Sequence, residues 1–311
     1  RLWFNEKFMN SDADFVNGNN PTEFDVPNPT FYQADINLSN VCNLKCRMCG
    51  SWASNSWFKE ELALAKIDKR YEKNERAVEL QQYGIEDLRN MLPHLKKVKR
   101  IDFKGGEPMM AKHHNQFLQW LIEEEMTDVE LFYTTNGTVQ NPKILELLKQ
   151  FKRVSICFSI EGTGDLYRYI RGGKYKIEDF EKTLAVYDKL ENVQIMFNVT
   201  LQNYNVFNLP ELHEFLHDLE DKYTRVSAKH SFGTICNKPA YLSPINLPDD
   251  LRDKAVERLS LYDDFDKLVE SMNKRVFDPE LWEVFINFTN DLDKMRGDSV
   301  LKSVPELKDH F

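Results

Sequence analysis

The sequence lacks several features that define large classes of proteins. No apolar run approaches the roughly 20 residues that a membrane-spanning helix requires, and the N-terminal RLWFNEKFMN has no signal-peptide pattern. Positive charge is not in excess, because 41 Lys and Arg stand against 50 Asp and Glu, a net charge of −9. This balance disfavours nucleic acid as a partner. The absences predict a cytoplasmic protein without a membrane partner.

Cysteine is scarce and unevenly placed. Of five cysteines, Cys42, Cys46 and Cys49 lie within eight residues, whereas Cys157 and Cys236 are isolated. An odd, clustered set without a secretion signal argues against a disulfide framework. The pattern instead favours thiolate ligation in a reducing compartment, with Cys157 and Cys236 as plain buried thiols.

Short β-rich runs alternate with helical patterns over most of the 311 residues. The strands we predict are 31–38, 98–104, 129–135, 153–160, 193–201 and 224–231. The helices we predict between them are 54–66, 75–92, 109–125, 141–150, 176–190 and 208–219. This alternation predicts parallel βα units with right-handed crossovers. The expected fold class is therefore α/β, a partial (β/α)6 TIM-like barrel over residues 31–232.

Two segments flank the predicted barrel. Residues 1–30 are rich in Asn, Asp and Pro without a sustained period, which predicts a loop-like N-terminal arm. Residues 233–311 change to proline-punctuated helices, and we expect a small, mostly helical C-terminal cap. The helices predicted there are 248–262, 264–274, 278–296 and 305–310.

Alternation within the strands indicates what the lumen of the barrel contains. One set of residues in each strand is apolar and should pack under the helices. The opposite set is polar and comprises Gln33, Asp35, Asn37, Ser155, Cys157, Ser159, Asn198 and Thr200. A packed barrel core would carry branched apolar residues there. The pattern predicts a polar lumen suited to a ligand, although half-exposed strands of an open sheet would look the same.

The clustered cysteines follow the first predicted strand in the segment LSNVCNLKCRMCG. Sulfurs at these spacings can converge on one inorganic centre. Three thiolates leave a four-ligand site open, so either a distant residue is the fourth ligand or one metal position remains free for chemistry. A structural zinc site would need that fourth ligand, and the seven His show no paired spacing with these cysteines.

The CxxxCxxC of residues 42–49 resembles the signature of the radical S-adenosylmethionine (SAM) superfamily. The resemblance implies that Cys42, Cys46 and Cys49 hold a [4Fe–4S] cluster whose fourth iron is chelated by SAM. It further implies that the reduced cluster cleaves SAM to a 5′-deoxyadenosyl radical, which abstracts hydrogen from the substrate. An electron donor such as flavodoxin or ferredoxin is then expected. Met48 stands where relatives often have an aromatic residue near the adenine, so that contact would be apolar and softer.

A second motif comes one βα unit later. Gly105, Gly106, Glu107 and Pro108 end the second predicted strand and resemble the GGEP element of the family, which implies that they receive the amino group of SAM. Two glycines let a main chain approach a ligand closely, and proline can begin the next helix. Alone, this segment would fit an ordinary strand-to-helix turn. Its register with the cysteine loop favours the functional interpretation.

Further matches end the third and fourth predicted strands. They resemble elements of radical SAM proteins related to peptide-modifying maturases and imply SAM contacts. The residues concerned are Thr135 and Asn136 at the end of the third strand and Ser159 and Glu161 at the end of the fourth. Downstream, Arg171 matches an arginine of the same branch, which implies a contact with the SAM carboxylate or ribose, and we add Asn198 from the polar lumen face. A guanidinium suits a carboxylate geometrically. A simple turn at Asn136 and a surface ion pair at Arg171 are the structural alternatives.

The segment 239–248 resembles the twitch-type extension of one radical SAM subgroup, in the branch related to SPASM and twitch proteins. Only Cys236 lies in this region, so no auxiliary cluster is expected. The hypothesis is a radical SAM enzyme acting on a peptide or amino-acid side chain, with a small carbohydrate or nucleoside as the alternative substrate. A non-catalytic metal-binding interaction protein is the alternative of another class, which would not need the GGEP element. Candidate substrate contacts are Asp35, Asn37, Asp102, Asn198, Thr200, Arg225 and Lys229.

Overall fold

A computed structural model of the protein describes residues 32–71 and 77–311, so the predicted N-terminal arm lies outside the described residues. The strands in the described part are β1 (Gln33–Asn37), β2 (Arg100–Lys104), β3 (Glu130–Thr135), β4 (Arg153–Ser159), β5 (Val193–Asn198), β6 (Thr200–Leu201), β7 (Val226–Ser227) and β8 (Thr234–Ile235). Six of them form one parallel sheet in the order β1-β2-β3-β4-β5-β7. The expected α/β architecture of six consecutive parallel units is confirmed.

The order of the sheet follows the order of the chain, as in an incomplete barrel. In the described residues no strand joins β1 to β7, and a small parallel pair of β6 with β8 lies outside the main sheet. The predicted strand 193–201 is therefore two strands, β5 and β6. The predicted strand 224–231 shrinks to the two residues of β7, which pair with Ile195 and Met196.

The helices of the barrel are α1 (Phe58–Ile67), α2 (Ile85–Leu95), α3 (His114–Glu123), α4 (Pro142–Leu148), α5 (Gly164–Arg171), α6 (Ile177–Tyr187) and α7 (Leu209–Lys222). The prediction of a helix from residue 75 was wrong at its start, because α2 begins at Ile85, where the Asp87 carboxylate accepts the Gly84 N–H at 2.9 Å. Helix α2 also continues past Pro93 to Leu95. Helix α5 was not predicted.

The C-terminal region is helical, as expected. It contains α8 (Asp249–Leu259), α9 (Asp266–Lys274), α10 (Pro279–Arg296) and α11 (Val300–Ser303). The predicted helix 305–310 is a single 3-10 turn, Pro305–Leu307. Within the described part of the chain, no helix combines the length and apolar character needed to cross a membrane.

The two faces of the sheet differ in polarity, as the alternation predicted. Ile101, Leu131 and Ile156 are fully buried under the helices. On the opposite face charged and polar side chains pair across strands: Gln33 donates to Asp102 at 2.9 Å, and the Lys104 ammonium contacts Asp35 at 2.9 Å. The strands that carry these polar groups, β1 and β2, continue directly into the loops that follow them.

Helix α10 packs beside the loop that carries the three clustered cysteines. Tyr71, which follows α1, lies edge-on to Phe288 with ring centroids 5.5 Å apart, and the Tyr204 hydroxyl is 2.7 Å from the Thr289 hydroxyl. Both contacts come from the middle of α10, and Asp293 in its last turn forms an ion pair with Arg47 of the cysteine loop.

Candidate cluster and cofactor site

The cysteine loop, residues 38–50, leaves β1 and is held by backbone bonds to the end of α5. Arg47 N–H donates to the Ile170 carbonyl at 2.8 Å, and Lys45 N–H donates to the Gly172 carbonyl at 3.1 Å. Gly172 adopts φ +63°, and a Cβ there would stand 2.4 Å from the Lys45 carbonyl oxygen. A side chain at this position would push the loop away from α5.

The three thiols of this loop lie in a low-dielectric environment. Burial raises the pKa of the Cys42 thiol to about 11. A hydrogen bond between Cys46 and Cys49 lowers the pKa of Cys46 and raises that of Cys49, and the Arg171 guanidinium lowers the pKa of all three. One positive charge therefore favours the thiolate forms that metal ligation needs.

The spacing of the sulfurs argues against a compact mononuclear site. In the described residues, the one group of three ligand atoms within 4.8 Å of one another lies elsewhere. Since Cys46 and Cys49 are hydrogen-bonded to each other, at least one of the other sulfur pairs, those that include Cys42, is wider than 4.8 Å. A tetrahedral zinc ion with Zn–S bonds of about 2.3 Å would draw its sulfurs to about 3.8 Å from one another. The separation of at least one sulfur pair exceeds this value and fits a polynuclear cluster better.

The two glycines of the GGEP segment allow the cysteine loop to lie against β2. A Cβ on Gly105, which has φ +113°, would lie 2.6 Å from the Ser39 carbonyl oxygen, and one on Gly106 would lie 2.2 Å from that of Val41. Because neither glycine has a Cβ, the two segments come close enough for backbone hydrogen bonds. Gly106 N–H donates to the Ser39 carbonyl and Glu107 N–H donates to the Val41 carbonyl, each at 2.8 Å. The glycines therefore allow two segments of the chain itself to approach each other. The motif alone indicated only the approach of a ligand.

Glu107 links the ends of β2 and β3. Its buried carboxylate accepts hydrogen bonds from Thr135 Oγ1 at 2.8 Å, Asn136 N at 2.8 Å and Met109 N at 3.1 Å. Burial raises the pKa of Glu107, and these three hydrogen bonds oppose that shift. The predicted residues Glu107, Thr135 and Asn136 are thus brought together by direct contacts.

Asn136 also contacts a cysteine. Its side-chain amide lies 3.6 Å from Cys42 Sγ and donates to Asn43 Oδ1 at 2.9 Å, while its Oδ1 accepts from Thr138 Oγ1 at 2.6 Å. The contact with sulfur could not be read from the sequence, because the partners are 94 residues apart.

Arg171 ends α5 and is buried beside the cysteines. Its Nη1 donates to Glu161 at 2.8 Å, and the two side chains are 6% and 1% exposed, so the surface ion pair considered as an alternative is excluded. Burial raises the pKa of Glu161, and Arg171 opposes that shift. Within the described residues the buried Arg171 Nε–H has no acceptor. An unsatisfied donor next to three thiols fits an anionic group at this position.

The remaining predicted cofactor contacts lie near the same edge of the sheet but not in one contact network. Ser159 and Asn198 are neighbours in the β4–β5 register, and Asn198 Oδ1 accepts from Thr234 Oγ1 at 3.0 Å. Met48 packs partly buried against the core.

A cavity of about 360 Å³ adjoins the GGEP segment on the β1 side. It is lined by polar side chains, among them Asp35, Asn37, Asn40, Gln81, Gln82 and Lys104, together with Trp52 and Tyr83. Of the other candidate substrate contacts, Asp102 is buried and paired with Arg100 at 2.6 Å. Arg225 was wrongly placed among them, because its Nε donates to the Asp188 carbonyl at the N-terminal end of β7.

Arg47, the residue after the second cysteine, makes a contact that sequence reasoning missed. Arg47 is fully buried, forms an ion pair with Asp293 of α10 and stacks on Tyr169, with its guanidinium carbon 3.6 Å from the ring centre. Asp293 also accepts from the Tyr169 hydroxyl at 3.1 Å and from Val300 N at 2.6 Å. The C-terminal region thereby anchors the cysteine loop from behind.

His114 at the start of α3 supports the GGEP turn. Its Nδ1 is 2.8 Å from the Pro108 carbonyl, which can only accept, so Nδ1 carries the proton and Nε2 accepts from the Tyr133 hydroxyl at 2.9 Å. Burial lowers the pKa of His114 to about 4.

This shift predicts a loss of stability in acid. The unfolded chain binds a proton at His114 below pH of about 6.5, whereas the folded chain does so only near pH 4, so the free energy of unfolding falls as pH decreases between these values. Urea unfolding at pH 7 and pH 5 should show that His114→Asn loses about 2 kcal/mol less than the wild type over this interval. Equal losses in the two proteins would contradict this assignment.

The chain was compared with known families and proteins. The family model described as the radical SAM superfamily matches residues 36–216. A radical SAM cyclopropyl synthase, TigE of Paramaledivibacter caminithermalis, is 24% identical over 227 residues, which is 71% of this chain and 44% of the relative. The Fe-coproporphyrin III synthase of Methanosarcina barkeri is 26% identical over 199 residues, 62% of this chain and 42% of the relative.

The chain spans about half the length of the curated relatives it matches. Among solved structures, that of Streptococcus suis SuiB aligns with a TM-score of 0.46 and 17% identity, over 74% of this chain and 46% of SuiB.

Proposed function

Since the family model covers more than half of its residues, the chain belongs to the radical SAM superfamily, and on that premise we propose that it is an enzyme abstracting hydrogen from a peptide or amino-acid side chain. The superfamily uses a [4Fe–4S] cluster and SAM. Cys42, Cys46 and Cys49 would hold the cluster. When bound, the cluster and SAM supply the electron and the radical chemistry; the protein binds, orients and shields them.

The observation that carries this proposal is the joining of the cysteine loop to the GGEP segment. Two backbone hydrogen bonds and two close glycine approaches hold the start of the cysteine loop, which leads into Cys42, against the segment that carries Glu107. A metal-stapled adaptor would have no use for a second loop ending in a buried carboxylate at that point. The buried Arg171–Glu161 pair adds a cation beside the thiols.

The proposed SAM contacts divide by chemistry. The Gly105 and Gly106 backbone and the Glu107 carboxylate would receive the amino group, while Arg171 would bind the carboxylate or ribose through its unsatisfied Nε–H. Met48 would supply an apolar contact to the adenine. Thr135, Asn136, Ser159, Glu161 and Asn198 complete the proposed set.

The proposed substrate position is the cavity beside β1. The Asn40 amide is already bonded to backbone groups. The side-chain amides of Asn37, Gln81 and Gln82 offer paired donors and acceptors that suit peptide groups. The half-exposed Trp52 adds an apolar surface. A peptide or amino-acid side chain is therefore the substrate class we propose. In the proposed arrangement residues 31–232 bind cofactor and substrate, whereas the twitch-like region 233–311 supports the cysteine loop.

The compartment and electron donor are also part of the proposal. The five cysteines form no disulfide in the structure, which suits a reducing compartment such as the cytoplasm. A flavodoxin or ferredoxin would supply the electron.

The test is substrate-dependent formation of 5′-deoxyadenosine. Protein prepared without air should contain about four iron and four sulfide per chain and, with SAM and dithionite, should release 5′-deoxyadenosine. A library of short peptides should raise that release, whereas sugars and nucleosides should not. Zinc bound by the cysteine sulfurs, with no sulfide, would overturn the proposal in favour of a binding module, and stimulation by a nucleoside alone would overturn the substrate class.

Asn136 provides a test of the cluster environment. Removing the amide near Cys42 Sγ should make the midpoint potential of the cluster more negative, since a hydrogen bond to a ligand sulfur stabilises the reduced state. We expect Asn136→Ala to reduce SAM cleavage about 10- to 100-fold, and redox titration followed by EPR measures the potential. Asn287→Ala, which removes an amide from α10, is the control, and an unchanged potential in Asn136→Ala would refute the role.

A further inference from the structure

The described residues contain one compact group of metal-ligating side chains, and it lies apart from the cysteine loop. His213 and His217 lie on α7, and Asp264 belongs to the 3-10 turn before α9. One ligand atom from each lies within 4.8 Å of the others. From this arrangement we infer that the three side chains form a binding site for a divalent transition-metal ion, zinc above all.

The residue types and their spacing suit that ion. Histidines four residues apart project from one face of a helix, and two imidazoles with one carboxylate form a common zinc ligand set that leaves a fourth position for water. Zinc bonds of about 2.0–2.1 Å place neighbouring ligand atoms about 3.3 Å apart in a tetrahedron. His213 Nε2 and Asp264 Oδ2 are already 3.1 Å apart.

Neighbouring groups orient the two imidazoles. Glu220 lies 3.4 Å from His217 Nδ1, the carboxylate–histidine arrangement that fixes the tautomer and leaves Nε2 for a metal. The ring of His213 is packed against Phe232 and Tyr262, with centroids 5.8 and 5.0 Å away. His213 is therefore held in place by packing, and the cost of ordering this ligand on binding is small.

The site would join two parts of the chain. Helix α7 lies within the barrel segment, whereas Asp264 belongs to the C-terminal region that anchors the cysteine loop through Asp293. A bound ion would therefore clamp the C-terminal region to the barrel. The ion would have a structural role and would stabilise the folded chain by mass action. This inference does not depend on the proposed reaction.

The test is zinc binding by the full chain with its cluster loaded. Equilibrium dialysis and metal analysis measure that binding. Wild-type protein should retain one zinc per chain besides its iron, and its melting temperature should rise with zinc. His217→Ala and Asp264→Asn should each bind zinc at least about 10-fold more weakly. His94→Ala, which removes an exposed histidine of α2, should bind like the wild type.

The ligand type separates this site from the cysteines. Zinc X-ray absorption should show nitrogen and oxygen at about 2.0 Å and no sulfur at about 2.3 Å. Sulfur in the zinc shell, or affinity unchanged in both variants, would overturn the inference. Because Asp264 is exposed, Asp264→Asn should fold normally even if His217→Ala does not, so one interpretable variant remains.

Discussion

Replacing Asp293 with alanine is expected to lower the free energy of unfolding by about 3 kcal/mol, the lower end of the range for removing one partner of a buried ion pair. The substitution would leave the fully buried Arg47 guanidinium without its main counter-charge and would remove the acceptor of the Tyr169 hydroxyl. Asp298 lies 3.6 Å from the same guanidinium and compensates in part. Urea unfolding under anaerobic conditions measures the change.

Glu283→Ala is the matched control, since it removes an ion-paired carboxylate from the same helix. Glu283 pairs with Arg70 at 3.5 Å, but both side chains are exposed, so its loss should cost at most about 1 kcal/mol. The double variant Arg47→Met with Asp293→Leu should be more stable than Asp293→Ala, because it leaves no unpaired buried charge. Equal losses for Asp293→Ala and Glu283→Ala would contradict the anchoring role.

The anchoring role also predicts a change at the cysteine loop. Arg47 lies between Cys46 and Met48, so release of its guanidinium should loosen the loop. Asp293→Ala protein loaded with a cluster should then lose iron faster during dialysis than wild-type or Glu283→Ala protein. An unchanged rate of iron loss would mean that the ion pair stabilises the fold without supporting the loop.

The architecture could be predicted from local patterns. Each parallel strand is a short run with alternating polarity, and each long helix repeats its apolar residues within a few positions. Helix α5 was not predicted because it has only eight residues and begins at Gly164, and glycine favours turns. The start of α2 was misplaced because its preceding segment instead bridges to Ser39.

For the candidate site, the sequence indicated residue types but not contacts. The cysteine spacing and the GGEP segment identified the loops, but not that the glycines would allow one loop to lie against the other. The Arg47–Asp293 pair joins residues 246 positions apart, and no local pattern of charge or hydrophobicity specifies such a pair. Long-range polar contacts depend on how packed elements meet, which is why the anchor emerged only from the structure.

The second large effect is expected at the cysteines themselves. Replacing Cys42, Cys46 or Cys49 by alanine should reduce iron from about four atoms per chain to nearly none and abolish SAM cleavage, because two thiolates cannot retain a cluster that needs three. The chain supplies its own controls in two buried cysteines, Cys157 and Cys236. Burial raises the pKa of Cys157 to about 12, so it stays a thiol and a poor ligand.

Cys157→Ala and Cys236→Ala should therefore keep wild-type iron, sulfide and cleavage rates, with only the stability loss of a small buried side chain. Iron and sulfide analysis of the five single variants, prepared in parallel without air, measures the contrast, and circular dichroism confirms that each is folded. Full iron content in a folded Cys46→Ala protein, or its loss in Cys157→Ala, would show that the cluster is held elsewhere. The contrast depends on position, since all five residues are thiols and only three share a loop beside a buried guanidinium.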